Sequence, residues 1–288
     1  MGGIILVALL VLAIYTFYPG EGCIGVIEIN GPIVSNDVSG SIFTNEVKGS
    51  ETLAEEIESA DSRPDVKSVL VLIDSPGGSV VASRQIYDAV HSLNKSSVSY
   101  INEMAASGGY YVAVGTDYIV ANPDAITGSI GARATFEDLS GLFEKVGYNE
   151  TVIKSGKMKD IGSYNRPMTQ EERAVLETII NETFQEFKNA VESNRGTRLD
   201  SAGWLQAQDA RIMTGRQAKK IGLVDALGNK KDAIAKAAEI AGINGTPRLC
   251  ELASSDGKKG IFSSLFAQAI EFLTRSSTGT GIPHLSYQ

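Results

Sequence analysis

Apolar residues along this chain alternate between two rhythms. Short continuous runs occur at Ile24-Gly25-Val26-Ile27-Glu28-Ile29, Val66 to Ile73, Val98-Ser99-Tyr100-Ile101 and Tyr118-Ile119-Val120-Ala121. Runs of this length, rich in β-branched residues and bounded by turn formers, predict buried strands. Between them the spacing becomes helical over Thr52 to Ala60, over Val81 to Leu93 and from Gly108 to about Val114. In the second of these, Ile86, Ala89, Val90 and Leu93 share one face. Buried strands alternating with helices predict an α/β fold with a mostly parallel sheet and flanking helices.

The second half reads as helical. Thr169-Gln170-Glu171-Glu172 is a capping box, with Thr169 as N-cap and Glu172 three residues on. The helix behind it runs to about Asn194, and Val175, Leu176, Ile179, Ile180, Phe184, Phe187 and Val191 form one stripe. That stripe predicts a core face, with a subunit contact as the alternative. A short helix over Gln217 to Ile221 and an amphipathic one over Lys231 to Ala241 follow. Residues 36–50, rich in Ser, Asn, Gly and Asp, predict a loop.

The two ends differ from the body. Ile4 to Tyr18 carries no charge, and Gly2 to Pro19 spans eighteen residues, roughly 27 Å as a helix. Tyr15, Phe17 and Tyr18 resemble an interfacial aromatic belt. No Lys or Arg precedes the run, and Tyr-Pro-Gly-Glu-Gly is a poor cleavage site, so an uncleaved transmembrane anchor is expected over a signal peptide. The tail is Ser- and Gly-rich except for 261–273, where Phe262, Leu265, Phe266, Ala269, Ile270 and Leu273 follow helical spacing. The expected division is an anchor and linker at 1–22, a catalytic domain at 23–252 and a tail at 253–288.

Net charge is −8 and the pI about 5.0, with no basic stripe, which argues against a nucleic-acid partner. Cys23 and Cys250 show no metal-ligand spacing and are expected to be two unrelated thiols.

Candidate chemistry lies where two predicted strands end. Asp74-Ser75-Pro76-Gly77-Gly78 follows the run ending at Ile73, and Ala105-Ala106-Ser107-Gly108-Gly109 follows Ile101. Ligands of open α/β sheets bind at the carboxyl ends of strands. A small hydroxyl, Ser107, beside the backbone N–H groups of a Gly-Gly turn suits acyl transfer. A serine nucleophile needs a base. His91 falls inside the predicted helix, and His284 lies in the tail four residues from the C-terminus, so a Ser-His-Asp triad is not expected. A lysine serves if burial holds it neutral, about three units below its ordinary pKa of about 10.4, on the order of 4 kcal/mol. Lys154, Lys157 and Lys159 share one segment, and the residues alone do not choose among them.

Six segments in order carry a resemblance: Asp-Ser-Pro-Gly-Gly at 74–78, Ala-Ala-Ser-Gly-Gly-Tyr-Tyr at 105–111, Thr-Gly-Ser-Ile-Gly at 127–131, Lys-Ser-Gly-Lys-Met-Lys-Asp at 154–160, Arg-Pro-Met-Thr-Gln-Glu-Glu-Arg at 166–173 and Thr-Gly-Arg-Gln-Ala-Lys-Lys-Ile-Gly-Leu-Val-Asp at 214–225. Together, from Cys23 to about Cys250, the chain resembles the short, single-domain form of the signal peptide peptidase A (SppA) family, serine proteases of the ClpP/crotonase fold. The resemblance implies Ser107 as nucleophile, Lys159, fifty-two residues on, as general base, Ser129 as the residue orienting the lysine, Gly77 and Gly108 as oxyanion-hole donors, and Gly78 in substrate binding. Clp-type subunits carry a base histidine about twenty-five residues after the serine, where this chain has Ala132. Asp160 is expected to point away from the Lys159 amine. The family further implies no metal or cofactor, peptide substrates such as signal-peptide remnants, a homo-oligomeric ring, and single-pass attachment to the cell membrane with the catalytic domain on the extracytoplasmic side. Two rivals remain. One is a non-catalytic scaffold of the same fold. The other is a crotonase-type hydratase or isomerase, for which only Asp74 and Glu103 stand near the Gly-Gly turns.

Overall fold

The apolar runs become strands where both of their faces are covered. A computed structural model describes residues 22–40 and 46–252. In chain order its elements are β1 (Cys23–Asn30), α1 (Ser50–Ser62), β2 (Val66–Ser75), α2 (Val80–His91), β3 (Ser96–Ala106), α3 (Gly108–Ala113), β4 (Tyr118–Ala121), β5 (Ile126–Gly128), α4 (Ser140–Val146), α5 (Gln170–Arg195), α6 (Ser201–Ala207), β6 (Ile212–Thr214), α7 (Gly215–Lys220), β7 (Ala226–Leu227), α8 (Lys230–Ile240) and β8 (Arg248–Glu251). The expected anchor at 4–18 and the apolar stretch at 261–273 lie outside the described residues. Among the described residues, no helix is long and apolar enough to cross a membrane.

The sheet runs β6-β5-β3-β2-β1-β8, with β4 on β3 and β7 on β4. Apart from the antiparallel β5–β6 pair, every pairing is parallel. β2 shows why its sequence is an unbroken apolar run. Val69, Val71 and Ile73 face a core built with α1, α2 and α3, while Leu70 and Leu72 face a second one against Ala233 and Ala237 of α8. Fully burying one such side chain stabilises by ~1.5–3 kcal/mol, so both layers depend on this strand.

β3 is longer than its apolar run. Its hydrophobic pattern stops at Ile101, because Asn102 and Glu103 are exposed, yet the ladder continues. Val98–Ile101 pair with β4, and the strand then passes to a new neighbour, with Met104 opposite Ile126 and Ala106 opposite Gly128. Pairing with a partner distant in sequence, which local patterning cannot register, carries the chain to Ser107.

Two expectations are corrected. Cys23 and Cys250 form a disulfide across a sequence separation of 227, with Cα atoms 5.9 Å apart. β8 adds in parallel to the edge of β1, with Cys250 opposite Gly25. The four residues Arg-Leu-Cys-Glu, with only two apolar positions between charged ends, give no clear strand signal, so nothing local announces the pairing. The stripe on α5 is a core face only over its second half. Phe187 and Val191 are buried, whereas Val175 is 43% and Ile179 54% exposed.

The capping box forms as expected: Thr169 Oγ1 accepts from the Glu172 N–H, and the Glu172 carboxylate accepts from the Thr169 N–H. The far end of α5 is tied by a buried ion pair. Arg195 donates Nη1 and Nη2 to the two oxygens of Asp225, both at 2.8 Å, and Nε to the Gly222 carbonyl. Asp225 Oδ2 also accepts the Ile119 N–H at 2.8 Å. Tyr110 Oη, in α3, donates to the Leu223 carbonyl at 2.7 Å. The Leu-Val-Asp segment at 223–225 therefore anchors the helix that follows Ser107.

Candidate active site

The first turn is shaped by glycines in close contact. Gly77 has φ +91, a left-handed conformation that costs glycine little and other residues much. A Cβ at Gly77 would stand 2.6 Å from the Gly108 nitrogen and 2.9 Å from Ser107 Cβ, so the two turns touch backbone to backbone. Ile33 lies along the outer edge. Its N–H donates to the Gly77 carbonyl at 3.0 Å, and its carbonyl accepts from Ser79 N–H at 2.9 Å. In this parallel bridge Gly78 keeps its own N–H and C=O on the opposite edge. The Gly77 N–H, expected to be an oxyanion donor, donates to the buried Ser75 Oγ at 3.1 Å. Among the described residues, the unengaged donor of this turn is thus the Gly78 N–H.

Ser107 sits where β3 turns into α3, with φ 53 and ψ −122. Its N–H donates to the Gly128 carbonyl at 2.9 Å, and its carbonyl accepts from the Tyr111 N–H at 2.9 Å. The bond to Gly128 places it one residue from Ser129. Ser129 has φ 53 as well and donates its N–H to the Arg211 carbonyl. Among the described residues, only Ser107, Ser129 and Ala210 are non-glycine residues at positive φ. Such conformations cost on the order of 1–3 kcal/mol and gather at functional sites. Two of the three are the expected nucleophile and the serine expected to orient the lysine.

A pocket of about 150 Å³ opens beside Ser107 and Gly108, lined also by Val80, Ser83, Tyr111 and Phe187. Tyr111 packs edge-on against Phe187, with centroids 4.9 Å apart, which fixes one wall. Arg84 stands at this pocket as well, donating to Tyr111 Oη at 3.3 Å and reaching Glu186 at 3.4 Å. Burial pushes the Tyr111 hydroxyl above its ordinary range despite Arg84, so it is a neutral wall group. Ser83 is 3% exposed, its Oγ has no hydrogen-bond partner among the described residues, and the Gly108 Cα packs directly on it. Sequence reading missed Ser83, Ser75 and Ile33. For Ser83 a signal existed: it is a polar residue on the face of α2 that also buries Ala82, Ile86 and Tyr87.

The lysine segment separates into paired and unpaired amines. Lys154 contacts Asp160 at 2.5 Å and Lys157 contacts Glu171 at 2.6 Å. Lys159 is exposed and its N–H donates to the Gly156 carbonyl at 3.1 Å. Among the described residues, no ion pair includes Lys159, and no hydrogen bond joins its amine to Ser107 or Ser129. Asp160 turns to other cations: besides Lys154 it accepts from Arg166, Nε to Oδ2 at 3.1 Å and Nη2 to Oδ1 at 2.8 Å. The Arg166 hydrogen bonds, and after them Lys154, hold the Asp160 carboxyl far below the usual carboxylate range. His91 is exposed at the end of α2 and stacks on Tyr87, with centroids 5.3 Å apart. His284 lies outside the described residues.

With the geometry in place, comparison with known proteins adds kinship. The model of peptidase family S49 matches residues 89–244, and that of Clp protease matches residues 42–125. A putative protease of Methanocaldococcus jannaschii is 41% identical over 212 residues, 73% of this chain and 66% of its own. A putative signal peptide peptidase SppA of Enterococcus faecium is 35% identical over 172 residues, 59% of this chain and 49% of its own. The chain thus spans between half and two thirds of the length of these relatives. A solved variant of the 1510-N membrane-bound stomatin-specific protease superposes with a TM-score of 0.50 at 15% identity, covering 82% of this chain and 100% of that one. At that identity the likeness shows the fold, a ClpP-like α/β sheet.

Proposed function

This chain belongs to peptidase family S49, and we propose that it is a serine endopeptidase with Ser107 as nucleophile and Lys159 as general base. The observation that carries the reading is Ser107 at positive φ, wedged between the Gly77 turn and the Gly108 N–H, with Ser129 next to its hydrogen-bond partner. Among the described residues, Lys159 is the lysine of its segment with no carboxylate partner, and a carboxylate would hold the amine protonated.

In the proposed reaction an extended peptide lies along the free edge of Gly78, and its side chain on the acyl side enters the 150 Å³ pocket. Ser107 Oγ attacks the carbonyl carbon and its proton passes to Lys159 Nζ. The oxyanion accepts from the Gly108 N–H and, in place of the engaged Gly77, from the Gly78 N–H. The C–N bond breaks as Lys159 returns the proton to the leaving amine. Water then attacks the acyl-enzyme and gives a proton to Lys159, which passes it to Ser107 Oγ as the ester C–O bond breaks, releasing the acid product and restoring both groups. Ser129 Oγ orients the lysine amine.

A lysine base must be desolvated, yet Lys159 is exposed in the single chain. A second copy packed over this region supplies the burial, and exposed Leu142, Val146, Ile153, Val175 and Ile179 support such a ring. The Cys23–Cys250 disulfide supports an oxidising, extracytoplasmic setting, and residues 4–18 support membrane anchoring. The substrate class is short or unfolded peptides, signal-peptide remnants among them, as the name of the Enterococcus relative indicates for that protein. The test is labelling with a serine-reactive phosphonate together with cleavage of an unstructured peptide. An adduct on Ser107 and cleavage lost in Ser107→Ala are expected. A folded protein that takes no adduct and cuts no peptide is a scaffold, and the proposal falls.

A further inference from the structure

The sequence places an acid directly after the candidate base. Asp160 follows Lys159, and an opposite charge within ~4–6 Å favours the protonated amine by about one to three pH units. The structure shows what occupies that carboxylate. Arg166 donates Nε to Asp160 Oδ2 at 3.1 Å and Nη2 to Oδ1 at 2.8 Å and to the Asp160 carbonyl at 3.2 Å. Lys154 Nζ takes the remaining face of Oδ1. The same guanidinium reaches Glu172, Nη1 to Oε2 at 2.9 Å and Nη2 to Oε1 at 2.5 Å, while Glu172 caps the first turn of α5. Glu172 is 2% exposed, so this end of the bridge is fixed. The Arg166 hydrogen bonds and the Thr169 N–H hold its carboxyl down at about 2, and it stays ionised as an anchor for the arginine.

We propose that Arg166 is a positioning residue for the base: it clamps Asp160 to the start of α5 and so keeps a carboxylate off the Lys159 amine. The bidentate fork is what makes arginine suited to this, because it engages both oxygens of Asp160 and reaches a second carboxylate. The proposal rests on the Ser107–Lys159 reading. Arg166 touches no reacting atom and acts only through where Asp160 points.

The test is a double-mutant cycle on the full chain, read as kcat and KM for an unstructured peptide near neutral pH. Arg166→Gln removes two of the three hydrogen bonds to the Asp160 carboxylate and leaves it held only by Lys154 on the surface. Asp160 can then swing toward Lys159, and kcat is expected to fall roughly ten-fold or more with KM within about two-fold. Adding Asp160→Asn, which removes the charge, is expected to recover most of that loss although a second partner of the network is gone. A merely structural arginine gives the opposite: the second substitution leaves kcat low or lowers it further. If Arg166→Gln does not fold, Arg166→Lys carries the same test, with a smaller loss that Asp160→Asn again relieves. Lys159→Ala separates the two levels of the argument. An active Lys159→Ala variant overturns the dyad. An inactive one, combined with unchanged kcat in Arg166→Gln or with a loss that Asp160→Asn does not relieve, leaves the dyad standing and overturns the role of Arg166.

Discussion

Ser107 and the atoms touching it show how much a single position demands. It holds a positive φ where β3 turns into α3, and Gly77 comes within van der Waals contact of it. Gly77→Ala adds a methyl 2.6 Å from the Gly108 nitrogen at a φ that L-residues avoid, so loss of peptide cleavage together with a lowered melting temperature is expected. Ser83 makes the contrary prediction. Its buried hydroxyl has no partner among the described residues, and an unsatisfied buried hydroxyl costs about 1–3 kcal/mol. Ser83→Ala is expected to leave the melting temperature unchanged or to raise it, and a clear fall would show that the hydroxyl is bonded after all. Ser107 stood out in the sequence as a candidate because a hydroxyl just before a Gly-Gly pair after a strand suits acyl transfer, and the structure places it at positive φ beside the Gly77 turn. Lys159 was not legible from residue types, since three lysines share its segment. Only the structure pairs Lys154 and Lys157 with Asp160 and Glu171.

At the scale of elements, periodicity revealed what local packing controls and missed what distant pairing controls. The four apolar runs, the capping box at Thr169 and the helix behind it could be read because each signal lies within one turn or one strand. The extension of β3 to Ala106 and the strand β8 depend on partners far along the chain, and polar residues (Asn102 and Glu103, Arg248 and Glu251) interrupt their apolar pattern. α5 divides for a similar reason: its stripe is continuous, but only the end near Tyr111 and Asp225 finds something to pack against. That end yields a pH prediction. Burial alone would raise the Asp225 carboxyl, yet the hydrogen bonds and charge of Arg195 outweigh it and hold the group below its ordinary value. A depressed carboxyl contributes stability that is present above its unfolded value and is lost as pH falls through the folded one. Stability from this pair should therefore fade below about pH 3.9. Asp225→Asn, which leaves a buried guanidinium without its counter-charge, is expected to cost about 3–5 kcal/mol in urea unfolding at neutral pH and to flatten the acid dependence.

For the whole molecule, two features join parts that the sequence keeps apart. The disulfide ties β1 to β8 and closes a loop of 227 residues, and closing a loop of that length stabilises by ~2–5 kcal/mol. Cys250→Ser, or reduction by dithiothreitol, should lower the melting temperature while leaving Ser107 open to phosphonate. An unchanged melting temperature would mean that the bond does not form in solution. The apolar positions that a single chain leaves exposed are where the proposed contact with a second copy would form. Ile179→Glu is expected to shift the protein toward smaller species in sedimentation and to reduce cleavage with them, because the lysine loses its cover. Assembly of this kind is written in the sequence only as ambiguity: an apolar stripe reads alike whether the chain's own core or a neighbour covers it.

Catalysis as proposed depends on a lysine activating Ser107. The direct measurement is the initial rate at which the full chain and its Lys159→Ala variant cleave the same unstructured peptide near neutral pH, with both proteins shown to be folded. A fall of roughly a thousand-fold or more, matching that of Ser107→Ala, is the predicted result. A rate within a few-fold of the unsubstituted chain, while Ser107→Ala is inactive, would contradict it and send the search for the base elsewhere.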